Sequence, residues 1–188
     1  MTRAKLASGI ELEYDTFGSP DDPALLLVMG FTAQMILWNE EFCQRLADAG
    51  RYVIRFDNRD CGLSSKLDGV EVDTAAVLGA AMSGGPLPPV PYTLSDMAAD
   101  AIGLLDALGI ERAHIAGASM GGMIAQTIAI EHPTRVRSLT SIMSTTGSRR
   151  VGQPTVKLIL SAGRRPVPTQ GDAVEMGLEM FRKVCGPT

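Results

Sequence analysis

Ser119 stands two residues after Gly117 and two before Gly121. A serine flanked at that spacing by residues without side chains can occupy a tight turn that a Cβ would forbid, and the turn lifts the hydroxyl clear of the neighbouring main chain. So presented, Oγ can attack a carbonyl carbon. The setting carries more weight than the pattern. Ala113, Ile115 and Ala116 suit a short buried strand, while Met120, Met123, Ile124, Thr127 and Ile128 recur at helical spacing. Strand, turn and helix in that order make Ser119 the candidate nucleophile, with Gly117 and Gly121 as the residues that permit its turn. The plainer alternative is a glycine-rich turn with an incidental serine.

The elements that must hold this turn can be read from both sides of it. Ile10 to Phe17 alternates apolar and polar residues, the period of a half-exposed, antiparallel edge strand. Ala24 to Met29 is a continuous apolar run, as expected of a strand covered on both faces, and it ends at Gly30-Phe31-Thr32. Gly30 would let the backbone approach a ligand closely; a simple turn glycine is the other reading. Ile36, Leu37, Phe42, Leu46 and Ala49 predict one helix over 36–49, closed by Gly50. Tyr52 to Phe56 is a strand leading into Asp57-Asn-Arg-Asp-Cys-Gly62. Asp57, Arg59 and Asp60 could be catalytic, but alternating charges in a tight loop are expected to hold each other and the backbone.

Residues 73–82 form an alanine-rich helix pattern followed by a breaker-rich loop to Pro91. Thr93 and Asp96 have capping-box spacing, and Leu94, Met97, Ala101, Leu104, Leu105 and Leu108 give the helix behind them one apolar face ending at Gly109. Val136 to Ser144 supplies the strand after Pro133. The alternation predicts an α/β fold with a mostly parallel sheet and helices on both faces. Beyond Thr145, two helical patterns (156–162 and 173–184) are separated by Arg164-Arg-Pro-Val-Pro-Thr169.

With 188 residues, 45% of them hydrophobic and 20% charged, the chain has the balance of an ordinary globular domain. A net charge of -4 and the absence of a dense Lys/Arg patch argue against a nucleic-acid partner. No apolar run is long enough to span a bilayer, and charge precedes any signal-like run, so a cytoplasmic location is expected. Cys43, Cys61 and Cys185 are odd in number and widely spaced, which predicts reduced thiols and neither a disulfide framework nor a metal site. No Gly-rich loop with Lys is present to cradle phosphates, and no cofactor is expected.

Three segments in order, Val28-Met-Gly-Phe-Thr-Ala-Gln34, Arg55-Phe-Asp-Asn-Arg-Asp-Cys-Gly-Leu-Ser64 and Gly117-Ala-Ser-Met-Gly-Gly122, resemble the α/β-hydrolases over residues 4–147. The Asn-Arg-Asp-x-Gly loop is similar to that of anthracycline methylesterases and proline-iminopeptidase-like proteins. The resemblance implies acyl transfer on a small-molecule ester or amide. Ser119 would attack the carbonyl, and the backbone N–H groups of Phe31 and Met120 would hold the oxyanion, the second at a helix N-terminus whose dipole favours negative charge. Met29 departs from the histidine that many relatives carry before this glycine. Residues 1–147 would be the hydrolase core and 148–188 the start of a helical cap.

The family order is serine, then acid, then histidine. Here no histidine follows His132. Along an extended strand His114 lies roughly 16 Å from Ser119, at about 3.3 Å per residue. Along the helix His132 lies roughly 20 Å away, at about 1.5 Å per residue. Neither is within hydrogen-bond reach, and Asp172 reads as a surface turn residue. With about six strands against the family's roughly eight, the chain reads as a truncated member. The competing expectation is a non-catalytic binding module or an inactive gene fragment.

Overall fold

A computed structural model describes residues 2–86, 88–148 and Leu178. Six strands form one sheet: β1 (Thr2–Lys5), β2 (Glu11–Phe17), β3 (Ala24–Val28), β4 (Tyr52–Phe56), β5 (Ala113–Ala118) and β6 (Val136–Ile142). Their order is β1-β2-β4-β3-β5-β6. β1 and β2 run antiparallel to their neighbours, and β4, β3, β5 and β6 are mutually parallel. The helices are α1 (Glu40–Asp48), α2 (Thr74–Ser83), α3 (Leu94–Ala107) and α4 (Met120–Glu131). The chain divides into two compact units, 1–152 and 153–188. The two helices expected at 156–162 and 173–184, and with them almost all of the expected cap, lie outside the described residues.

The apolar run of β3 is explained by burial on both faces. Leu26 and Val28 pack with Met97, Leu104 and Leu105 of α3 and Ile124 and Ile128 of α4. Leu27 and Met29, pointing the other way, pack with Trp38, Cys43 and Ala47. Alternate residues of one strand therefore feed two separate cores, as the period of two requires. β1 has no counterpart in the sequence reading. Its four residues offer only Ala4 to the core, and antiparallel pairing with β2 organises them instead.

The single helix expected over 36–49 is two elements. A short 3-10 turn covers Met35–Leu37, and α1 begins only after Asn39, whose side chain accepts hydrogen bonds from the N–H groups of Glu41 and Phe42 at 2.7 and 3.4 Å. An asparagine cap followed by Glu40 and Glu41 is a helix start. The shift of register turns the face: Ile36, Leu37 and Phe42 are exposed, whereas Cys43 and Ala47, four residues apart, point inward.

Arg55 is fully buried in β4, where Asp15 of β2 accepts from it at 2.8 Å, the Trp38 carbonyl accepts from it and the Phe17 ring lies beneath its guanidinium. The following loop meets half of its expectation, the hold on the backbone. Its charged residues do not pair with each other: Asp57 and Asp60 bind backbone N–H groups, and Arg59 reaches across to Asp100 of α3.

The capping box is present in full. The Thr93 hydroxyl accepts from the Asp96 N–H at 3.4 Å, and the Asp96 carboxylate accepts from the Thr93 N–H at 2.7 Å. Bonds from the Thr93 side chain and then its backbone hold the Asp96 pKa below the usual 3.8. A depressed carboxylate pKa contributes stability that is present above the unfolded-state value and is lost as pH falls through the folded-state value. Thr93→Ala is therefore expected to cost about 1 kcal/mol at pH 7, and the gap between the two proteins should narrow below pH 3.8. Urea unfolding of both proteins across pH 2–7 measures it; a gap that stays constant to the lowest pH removes Asp96 from the account.

Candidate active site

The carboxyl ends of β3, β4, β5 and β6 converge, and each supplies one part of the site. Ser119 follows β5 directly, with φ 55° and ψ -121°. Positive φ is unfavourable for a residue carrying a Cβ, so the surroundings must hold it there. They do so from both sides of the residue. The Ser119 N–H donates to the Ile142 carbonyl at 2.9 Å. Its own carbonyl accepts from the Ser144 hydroxyl at 2.7 Å and from the N–H groups of Gly122 and Met123 at 2.9 and 3.3 Å.

The flanking glycines are there for space. A Cβ on Gly117 would run into the Gly121 carbonyl, and one on Gly121 would run into the Val28 carbonyl. Gly121 thus lets the first turn of α4 settle against the end of β3. Gly30 borders the same point: a Cβ there would stand 3.1 Å from the Ser119 Cβ and 3.6 Å from Oγ. The Gly30-Phe31-Thr32 turn beside Oγ is closed by an Ala33 N–H to Gly30 carbonyl bond of 3.3 Å, and the Phe31 side chain is exposed. As an opening residue of α4, Met120 has an N–H with no acceptor four residues back in its own helix. Of the residues singled out from sequence, Gly117 and Gly121 pack on the backbone on either side of Ser119, Met120 opens α4 directly after it, and Phe31 follows the Gly30 that stands beside Oγ.

Two positioning residues stand beside this turn: Asn58, which was not anticipated, and Asp57, which was expected to hold backbone. Asn58, buried after β4, donates through Nδ2 to the Met29 carbonyl at 2.9 Å and fixes the end of β3 just before the Gly30 turn. Buried Asp57 accepts from the N–H of Met35 at 2.7 Å and of Leu63 at 3.0 Å, tying together the loops after β3 and β4. A polar residue directly after a buried strand was the available signal. Ser144 had no signal in the sequence, because it depends on where β6 ends.

The histidines stand away from this point. His114 is the second residue of β5, at the opposite end of the sheet, with Nδ1 2.7 Å from the Ser138 hydroxyl. Burial first, then Arg51 and Arg137, push its pKa down. His132 follows the far end of α4. The thiols of Cys43 and Cys61 are free and buried, and burial is the leading cause that raises both pKa values, which makes them poor nucleophiles. Among the described residues no cluster of His, Cys, Asp and Glu could hold a metal, and no helix is long and apolar enough to cross a membrane.

Residues 23–157 match the family model described as alpha/beta hydrolase fold. The chain belongs to the α/β-hydrolase family. A rhodomycin D methylesterase of Streptomyces sp. (strain C5) is 34% identical over 142 residues, which are 76% of this chain and 42% of that protein. A putative carbamate hydrolase of Variovorax paradoxus (strain S110) is 31% identical over 68% of this chain and 40% of its own length. The crystal structure of an enol-lactonase from Burkholderia xenovorans LB400 superposes with a TM-score of 0.67 at 24% identity, covering 96% of this chain and 59% of that one, and shares the fold. This α/β-hydrolase chain spans less than half the length of the two curated relatives.

The spacing around the serine predicts two outcomes of opposite kind. Gly121→Ala drives a Cβ into backbone and should cost about 2–4 kcal/mol in urea unfolding. Gly30→Ala meets its neighbours at 3.1 Å or more and should stay within about 1.5 kcal/mol of the parent. Equal losses from both would show that the contact of α4 with β3 does not limit the fold.

Proposed function

We propose that this chain carries the nucleophile and oxyanion site of a serine hydrolase acting on small carbonyl esters. The observation that supports it most is the strained Ser119 turn, closed over Gly30 at the carboxyl ends of four parallel strands. Ser119 Oγ bonds to the ester carbonyl carbon, and the carbonyl π pair moves onto oxygen. The N–H groups of Phe31 and Met120 receive that charge; as the intermediate collapses the bond to the alkoxy oxygen breaks, and that oxygen takes up the proton that Oγ gave up, so the alcohol departs. Water then adds to the acyl carbon, one of its protons returns to Oγ, and the acid is released. Fixed donors aimed at a developing oxyanion are worth about 10²–10³ in rate each. The rhodomycin D methylesterase relatives favour an ester over an amide substrate.

The proton on Oγ needs a base, and the chain's two histidines stand at the wrong ends of β5 and α4. The same distance favours a second reading, a binding module that keeps the hydrolase turn without turnover. Removing a triad member leaves roughly 10³–10⁴-fold catalysis over water in serine proteases. Turnover by this chain is therefore expected far below the roughly 10 s⁻¹ of a typical enzyme.

Labelling with a fluorophosphonate separates the two readings. Covalent modification of the 188-residue chain, absent in Ser119→Ala, is the expected result; labelling of neither protein favours the binding module. p-Nitrophenyl acetate should be cleaved slowly and prolyl arylamides more slowly still. Hydrolysis at tens per second, abolished by Ser119→Ala, would overturn the argument from the remote histidines.

A further inference from the structure

Away from Ser119, the segment between β4 and α3 folds over a cavity of about 440 Å³. Its walls are Leu67, Val70, Val72, Val77 and Val90, with Asp60 and Tyr92 on one side. None of Gly30, Phe31, Ser119 or Met120 lines it. Volume and apolar lining suit a small organic molecule, and the few polar groups fix its orientation.

The charge at the wall selects the class of molecule. Asp60 accepts from the Leu67 N–H at 2.7 Å, and the adjacent Tyr92 phenol has a pKa pushed up first by burial and then by Asp60. Among the described residues, no Lys, Arg or His nitrogen lies within 4.0 Å of the Asp60 carboxylate. The two nearby cations in the sequence have other hydrogen-bond partners, although the Arg59 guanidinium also lies 5.2 Å from the Tyr92 ring centroid. Arg59 donates to both oxygens of Asp100 at 2.6 and 2.7 Å, and the Lys66 ammonium donates to the Gly62 and Ser64 carbonyls at 2.8 and 3.0 Å. Asp68, Glu71 and Asp73 add negative charge along the same segment, and no charged residue occurs from Thr74 to Ser95. An apolar chamber beside a carboxylate without a countercharge is complementary to a cation with a hydrophobic body.

We propose that this cavity is a binding site, distinct from the serine site, for a small hydrophobic amine, with the ammonium at Asp60 and the alkyl or aryl body among the valines. An anion of the same size is repelled, and a neutral isostere keeps only the apolar contribution. The amine should therefore bind about tenfold more tightly than the neutral isostere, the size of a partly screened charge contact.

Phenethylamine, 2-phenylethanol and phenylacetate supply the three charges on one body, and saturation-transfer NMR and calorimetry at pH 7 read their binding to the full chain. The expected order is amine, then alcohol, with no binding of the anion. Asp60→Asn keeps an acceptor for the Leu67 N–H and tolerates the residue's φ of 61°; it should bring the amine down to the affinity of the alcohol. Val77→Trp should abolish binding of both by filling the chamber, and Val72→Arg at the exposed rim should weaken the amine alone, which covers the case in which the tryptophan variant does not fold. Ser119→Ala should show the same order as the parent, amine then alcohol with no binding of the anion, so the outcome is independent of the serine chemistry. Equal affinity for amine and anion, or amine binding unchanged in Asp60→Asn, overturns the proposal.

Discussion

No room exists for a methyl group between the last carbonyl of β3 and the first turn of α4, and the arrangement of the site depends on that contact. Gly121 sits against the Val28 and Met29 carbonyls, and Gly117 sits under the Gly121 carbonyl. Were the helix even one carbon radius further out, Ser119 would lose the positions of Ile142 and Ser144 that hold its backbone at positive φ. A contact of this kind contributes little attraction of its own. Its effect is to fix a distance, after which hydrogen bonds from four strand ends can all be satisfied together.

The parts of the fold legible in the sequence were those written as periodicity. β4 has the expected bounds, α4 contains every residue read at helical spacing after Ser119, and the Thr93 box and the two-sided burial of β3 follow from residue pattern alone. What escaped was set by partners distant in the chain. β1 exists because β2 offers it an edge, and its four residues carry no usable period. The opening turn of the expected 36–49 helix failed because an asparagine cap outweighed apolar residues, Ile36 and Leu37, that the structure leaves in solvent.

The site shows the same division. The serine and its glycines could be read because one local turn needs them all. Asn58 and Asp57 acquire their roles only when the loops after β3 and β4 lie side by side, a neighbourhood created by the sheet order. Asp57, Arg59 and Asp60 look alike in sequence yet do three different things: one fastens two loops, one ties β4 to α3, and one faces a cavity. Alternating charge in a loop indicates that hydrogen bonds will be made, and the tertiary fold decides with whom.

The close contacts and hydrogen bonds around Ser119 join residues far apart along the chain: 28–30 with 117–121, 58 with 29, and 119 with 142 and 144. Closing such long loops is entropically expensive, and contacts of high sequence separation come late in folding. The turn can therefore reach its strained geometry only after the sheet from β3 to β6 has assembled, and a nascent chain released before residue 142 lacks two of its anchors. A probe that reacts only with the finished turn would count completely folded molecules, while spectroscopic helix content would also count partly assembled ones.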